Sequence, residues 1–190
     1  PVDVVRLQVW RSRLRKVRAM TFTGPGAKQN KGRQSRLIGL IFERLLATLM
    51  IDGKLFTGKT NVHTTTSEID LLMQLGPIAA SVVPYLQDVG AMVLGEAKCV
   101  KGGIQSGWVQ KLAGIMATHN TKFAILFTEG TAKKVPPAIR TALSLHYVGH
   151  RRIVPFGSSQ LDAVISGESF LGVLAEQHTK VALHSTTLST

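Results

Sequence analysis

Cysteine is nearly absent from this chain. The single Cys99 excludes an internal disulfide and a four-cysteine zinc site, and it suits a reducing compartment. Long uninterrupted apolar runs are also missing. The longest apolar stretch, Leu37 to Met50, is broken by Glu43 and Arg44 and is too short and too charged to span a bilayer. No signal-peptide pattern opens the chain, so the expected location is the cytoplasm. It begins at Pro1 rather than at a methionine, which suggests a fragment or a processed chain. Acids are scarce as well: 11 Asp and Glu stand against 23 Lys and Arg, a formal net charge of +12.

The shortage of acids is local. Residues 1–36 hold ten cations (Arg6, Arg11, Arg13, Arg15, Lys16, Arg18, Lys28, Lys31, Arg33 and Arg36) and one acid, Asp3, so they carry nine of the twelve net charges. The remainder is nearly balanced. At 44% hydrophobic, that remainder can bury a sizeable core. A basic segment beside a balanced globular domain points to a polyanionic partner, and nucleic acid is the commonest one. A tail kept solvated for solubility is the plainer alternative.

Periodicity leaves residues 1–20 open between a strand and a basic helix. Thr21–Ser35, TFTGPGAKQNKGRQS, is rich in glycine and polar residues and is expected to be a mobile linker. The expected organisation is therefore a basic segment and linker over 1–35, a folded domain over 36–175, and a C-terminal tail over 176–190. Ser35 is placed to cap a helix through RLIGLIFERLLATLM, whose apolar residues cover most of its circumference and predict that it is largely buried. KLFTGKTNVHTTTSEIDLLMQL predicts two strands joined by a turn at TGKTN, and GPIAASVVPYLQDVG a loop. AMVLGEAKC reads as a strand, SGWVQKLAGIMATHN as an amphipathic helix and KFAILFTEG as a buried, parallel strand. PPAIRTALSL predicts a helix, HRRIVPFG a last strand, and SSQLDAVISG and ESFLGVLAEQH two short helices, with Ser158 and Ser159 as caps. The order is that of an α/β protein with a mixed central sheet flanked by helices.

GKLFTGKT, Gly53 to Thr60, matches the phosphate-binding pattern G-x-x-x-x-G-K-[ST]. That chemistry needs a buried strand before the loop and a helix starting at its Lys-Thr, so that the helix N-terminus faces phosphate. Here a helix is expected before it and a Thr-rich strand after it. The segment is expected to be a hairpin turn offering Lys54 and Lys59 to solvent or to a phosphate backbone. A nucleotide hydrolase stays open as a third alternative, decided by whether a helix or a strand runs through Lys59.

Other residues concentrate chemistry. Asp70 lies inside an apolar strand, and Glu96 and Lys98 lie at the end of another. Alternation puts Glu96 and Lys98 on one face and Ala97 and Cys99 on the other. A carboxylate and an ammonium on a core strand are costly to bury without cause, although an ordinary buried ion pair would also account for them. Two carboxylates and a main-chain carbonyl form an oxygen site for Mg²⁺, which acidifies a bound water and stabilises phosphoryl charge. A neighbouring lysine can orient the attacking water. Cys99 is expected to be a small buried hydrophobe rather than a nucleophile.

Asp70 followed by Glu96-Ala97-Lys98 resembles the D…(D/E)xK signature of the PD-(D/E)xK phosphodiesterase superfamily, and within it the Mrr-like restriction endonuclease branch. GLIFE, Gly39 to Glu43, is similar to the G-x-x-F-E of that family's first core helix, and the order of the later elements also matches, over about residues 36–166. The resemblance implies a restriction-endonuclease-like fold and a Mg²⁺-dependent DNA endonuclease, with Mn²⁺ able to substitute. Asp70, Glu96 and the Ala97 carbonyl would hold the metal, Lys98 would position the water, and Glu43 would support them from the first helix. Arg11, Arg13, Arg15, Lys16, Arg18, Lys28, Lys31, Arg33, Arg36, Lys101 and Lys111 would grip DNA. Cleavage of both strands would call for a homodimer, and further domains or subunits would supply specificity. A non-catalytic nucleic-acid-binding module of the same fold is the main alternative. His146 and His150 lack a third ligand and are expected to be a surface pair, Glu68 an exposed strand acid, and Trp108 a core residue.

Overall fold

The basic N-terminus folds into the body of the protein instead of trailing from it. The structure, a computed structural model, describes residues 2–52, 55–63, 68–76, 90, 92–99, 104–129, 139–140, 142–143, 146 and 149–186. Helix α1 (Val4–Ala19) starts behind Asp3, whose carboxylate accepts the Arg6 backbone N–H at 2.9 Å. This is an N-cap, worth about 1 kcal/mol. Leu7, Arg11 and Leu14 recur on one helical face, and all three are buried. Two leucines two turns apart thus dock a segment that charge alone marks as a solvated arm.

Residues 20–26 reverse the chain, with Gly26 in the left-handed region at φ 83° just before α2 (Ala27–Ala47). The expected linker over 21–35 is therefore corrected: most of it is helix. Ala27, Lys28, Gln29, Lys31 and Arg33 are good helix formers, so Ser35 lies within the helix and caps nothing. Gln34 ties the hairpin, donating to the Val17 carbonyl at 2.6 Å and the Met20 carbonyl at 2.9 Å, two of the orphan acceptors at the end of α1. The apolar stretch from Leu37 to Met50 is largely buried, as expected. Ile41, Phe42, Leu45 and Leu46 are buried, whereas Leu37 and Leu40 face solvent. A π-turn, Thr48–Asp52, then carries Leu49 and Met50 into the core.

Five strands form one sheet in the order β1 (Phe56–His63), β2 (Glu68–Leu75), β3 (Met92–Lys98), β4 (Phe123–Thr128), β5 (Arg152–Phe156). Strand β2 is antiparallel to both β1 and β3, and β3, β4 and β5 run parallel. The chain is thus α/β with a mixed central sheet flanked by helices. Helix α3 (Ser106–Thr118) lies between the parallel strands β3 and β4, as a crossover requires. Every residue of β4 is buried, in keeping with its uninterrupted apolar run. Pro155 is tolerated because β5 is an edge strand.

One core lies on the face covered by α1, α2, α4 (Ser158–Ile165) and α5 (Phe170–Thr186). It gathers Leu7, Leu14, Phe42, Met73, Phe127, Phe156 and Phe170. The other lies under α3 and gathers Leu94, Val109, Leu112, Met116, Leu126 and Ile153. Helix α5 runs to Thr186 and buries Val181, so the domain does not stop at residue 175. Gln160, not Ser158 or Ser159, closes the start of α4: its side-chain oxygen accepts the Gly157 N–H at 3.0 Å.

The phosphate-loop pattern falls on β1. Lys59 and Thr60 pair with Leu72 and Leu71 inside the strand, so TGKTN is not the turn and no helix begins at Lys59. Gly58 is a sheet glycine. A Cβ there would overlap the Leu72 carbonyl oxygen and lie 3.0 Å from Met73 Cα. Gly53 and Lys54 lie outside the described residues.

Candidate active site

Strands β1 and β2 change faces together. Phe56, Leu71 and Met73 belong to the first core, but the paired residues Val62 and Ile69 pack in the second. Regular alternation would keep Ile69 with Leu71 and Met73. The pairing skips the two residues between, Asn61 and Asp70, and Asn61 takes a left-handed φ of 52°. Such a backbone costs on the order of 1 kcal/mol for a non-glycine residue and gathers at functional sites. At this kink Asp70 turns to β3, and its Oδ2 accepts the Ala97 N–H at 2.6 Å. Main-chain pairing of β2 with β3 ends at Leu71 and Gly95, so a side chain extends the contact between the strands.

On β3, Glu96 and Lys98 share a face as alternation predicts, with Lys98 Nζ 2.6 Å from Glu96 Oε1. Lys111 from α3 stands 3.4 Å from the same oxygen. The Glu96 side chain is only 4% exposed, so two cations answer one buried carboxylate. Burial pushes the Asp70 carboxyl above its usual 3.8. The Ala97 N–H opposes this, the charges of Glu96 and Glu43 push further upward, and Lys98 pulls downward. Glu43 (α2), Asp70 (β2) and Glu96 (β3) thus form one electrostatic group. Asn61 Nδ2 donates to Glu43 Oε2 at 3.3 Å, linking the kinked strand to that helix. The one trace of Asn61's role in the sequence is its residue type, the side chain best suited after glycine to a left-handed φ.

Asp70 and Glu96 are hard oxygen donors of the type Mg²⁺ takes. Among the described residues, no group of three or more His, Cys, Asp or Glu side chains is gathered closely enough to hold a metal ion. His146 is partly buried and His150 exposed; burial, then Arg151, lowers the His146 pKa. Glu68 is exposed at the start of β2, and Trp108 packs partly buried on the second core.

The basic residues divide into two sets. Arg11 is buried and forks onto Asp162, with Nε 3.0 Å from Oδ1 and Nη2 3.2 Å from Oδ2. Arg18 pairs with Glu129 and donates to the Cys99 carbonyl at 3.2 Å. Arg15 leans on Asp162 at 3.5 Å from an exposed position. The expectation that Arg11 and Arg18 grip DNA is corrected, because both are committed to acids of the same chain. Arg13, Lys16, Lys28, Lys31, Arg33 and Arg36 are exposed, and Lys101 lies outside the described residues. Cys99 Sγ donates to Glu129 Oε2 at 3.3 Å, and burial is the main cause of a thiol pKa pushed up to about 12. Such a thiol is no nucleophile.

The chain matches no protein-family model, and comparison with the curated proteins and with the solved structures likewise finds no match. No helix among the described residues is long and apolar enough to cross a membrane.

Proposed function

We propose that this chain is a metal-dependent DNA endonuclease domain with a restriction-endonuclease-like fold. One observation carries the proposal: at a backbone kink, the Asp70 carboxylate meets the Glu96-Ala97-Lys98 strand and takes the Ala97 N–H at 2.6 Å. Asp70, Glu96 and the Ala97 carbonyl would hold Mg²⁺, or Mn²⁺ in its place. Burial first, and then the charges of Glu96 and Glu43, disfavour the ionised Asp70 carboxylate, and a divalent cation would offset that cost. When bound there, the metal polarises a phosphoryl oxygen and acidifies a water.

The remaining roles belong to the chain itself. Glu96 Oε1 fixes Lys98 Nζ, leaving that ammonium's other donor positions to orient a water beside the scissile phosphate and to offset phosphate charge. Lys111, half exposed at the rim of the same pair, adds a second cation for the phosphate. Asn61 holds Glu43, the third carboxylate of the group, against the site.

Exposed Lys28, Lys31, Arg33 and Arg36 on the N-terminal half of α2 form the DNA grip. The first turn of this helix holds no acid, and its N-terminus is already the positive end of the helix dipole. Cations there repel that end, and a polyanion relieves the repulsion, giving sequence-independent and salt-sensitive affinity. A homodimer would bring two such sites to the two strands.

Cleavage of supercoiled plasmid with Mg²⁺ or Mn²⁺ is the test, comparing wild type with Lys98→Ala and Asp70→Ala. Metal-dependent nicking or linearisation that both substitutions abolish is expected. Salt-sensitive DNA binding without cleavage would favour the non-catalytic binding module. Cleavage surviving both substitutions would overturn the assignment of the site.

A further inference from the structure

A second surface takes no part in the nuclease proposal. Helices α1 and α2 leave between them a groove of about 410 Å³. Its apolar lining comes from Trp10 and Val17 on α1 and from Leu37, Leu40 and Ile41 on α2. Leu37 and Leu40 remain 43% and 54% exposed, a costly choice for two leucines on a helix that buries its other face. Arg13, Lys16 and Arg44 rim the groove, and no acidic residue among the described residues lines it. The Arg13 guanidinium stacks 4.9 Å from the Trp10 ring centroid, which holds that cation at the edge.

The chemistry of the groove selects among occupants. A second copy of this chain would bring another basic rim and another net charge of +12, so like charges would face each other. Duplex DNA would satisfy the cations and leave the leucine floor wet, since its sugar–phosphate surface has no apolar ridge to seat there. An anionic bilayer would also satisfy the cations, but it takes up a protruding apolar face rather than a recess between two helices. A helix with an apolar stripe fits the recess lengthwise, because Leu37, Leu40, Ile41 and Arg44 recur at the spacing of one helical face. Acidic residues beside that stripe would meet Arg13, Lys16 and Arg44.

We propose that the α1–α2 groove docks an amphipathic helix of a partner protein, its leucine-type stripe in the groove and its acidic flanks against Arg13, Lys16 and Arg44. The mode is helix-in-groove recognition, with electrostatic complementarity setting orientation and on-rate.

The test uses the full chain and two labelled designed peptides, each with one leucine stripe. One is flanked by glutamates and the other by lysines, and binding is read by fluorescence anisotropy. Wild type should bind the glutamate peptide at least about tenfold tighter than the lysine peptide. Arg13→Glu with Lys16→Glu should reverse that preference. Leu40→Asp should abolish binding of both, with the melting temperature confirming that these exposed substitutions leave the fold intact. Equal binding of the two peptides by wild type, no binding of either, or undiminished binding by Leu40→Asp would each overturn the proposal. Self-association, binding of short duplex DNA and binding of phosphatidylserine vesicles would each overturn it too, but only where Leu40→Asp abolishes that binding, because the groove would then belong to that other occupant.

Discussion

Replacing Asp70 with asparagine should stabilise the metal-free protein while abolishing cleavage. Asp70 is a half-buried carboxylate raised above 3.8 first by burial and then by Glu96 and Glu43; the Ala97 N–H and Lys98 offset only part of this. The sign follows from proton counts. Between 3.8 and the raised native value, the folded state keeps a proton that the unfolded state has released. Stability therefore falls as pH rises through that window, and the deficit persists unchanged above it. Asparagine keeps an oxygen for the Ala97 N–H and carries no charge. Relieving one such functional group is commonly worth about 1 kcal/mol. For a chain of this size that is about 3 °C in melting temperature. The advantage of Asp70→Asn should be complete at neutral pH and should fade on acidification toward 3.8. Mg²⁺ should act in the opposite direction. At ten times its dissociation constant it adds about 1.4 kcal/mol to the wild type, about 4 °C, and nothing to the variant. Melting curves at two pH values, with and without Mg²⁺, would show the order of the two proteins exchanging. A variant that melts below the wild type at neutral pH without metal, or that gains as much from Mg²⁺, would refute this account.

Arg11→Ala should cost about 2 kcal/mol in a urea titration, because it removes a buried two-pronged hydrogen bond to Asp162 while Arg15 still reaches Asp162 and Arg18 still pairs with Glu129, whereas exposed Arg15→Ala should cost under about 0.5 kcal/mol. Asn61→Gly should leave stability unchanged or raised, since glycine accepts a φ of 52° without penalty, yet loss of the bond to Glu43 should lower cleavage about tenfold, read by plasmid nicking under single-turnover conditions. With its thiol pKa near 12, native Cys99 should resist iodoacetamide at pH 8 and react on the order of a thousandfold faster in denaturant, as followed by intact mass.

These expectations separate what local pattern encodes from what it does not. Glu96 and Lys98 were legible because a strand alternates faces whatever surrounds it, and the structure sets them 2.6 Å apart. Strand β4 was legible because six consecutive buried residues leave no polar face to place. The docking of α1 was not legible. Charge adds up residue by residue along a segment, whereas docking turns on Leu7 and Leu14 finding a core built by later strands. Nor could composition tell a cation bound to DNA from one bound to the chain's own acids. Arg11 meets an aspartate 151 residues away, and no window of sequence spans that.

The kink at Asn61 and Asp70 is the most informative departure. The sequence pattern puts Asn61 in a turn; the structure instead puts it inside β1, where regular alternation is broken in both paired strands at the same rung. The change costs a left-handed asparagine, removes one rung of pairing, and moves Val62 and Ile69 to the opposite core. In exchange, the Asp70 carboxylate reaches the Ala97 N–H within the field of Glu96 and Glu43, and Asn61 reaches Glu43. A structural ion pair needs none of this, since Glu96 and Lys98 already satisfy each other on one strand. Departures from local rules are expected at functional or strained positions, and the proposed nuclease site puts its Asp70 at this one.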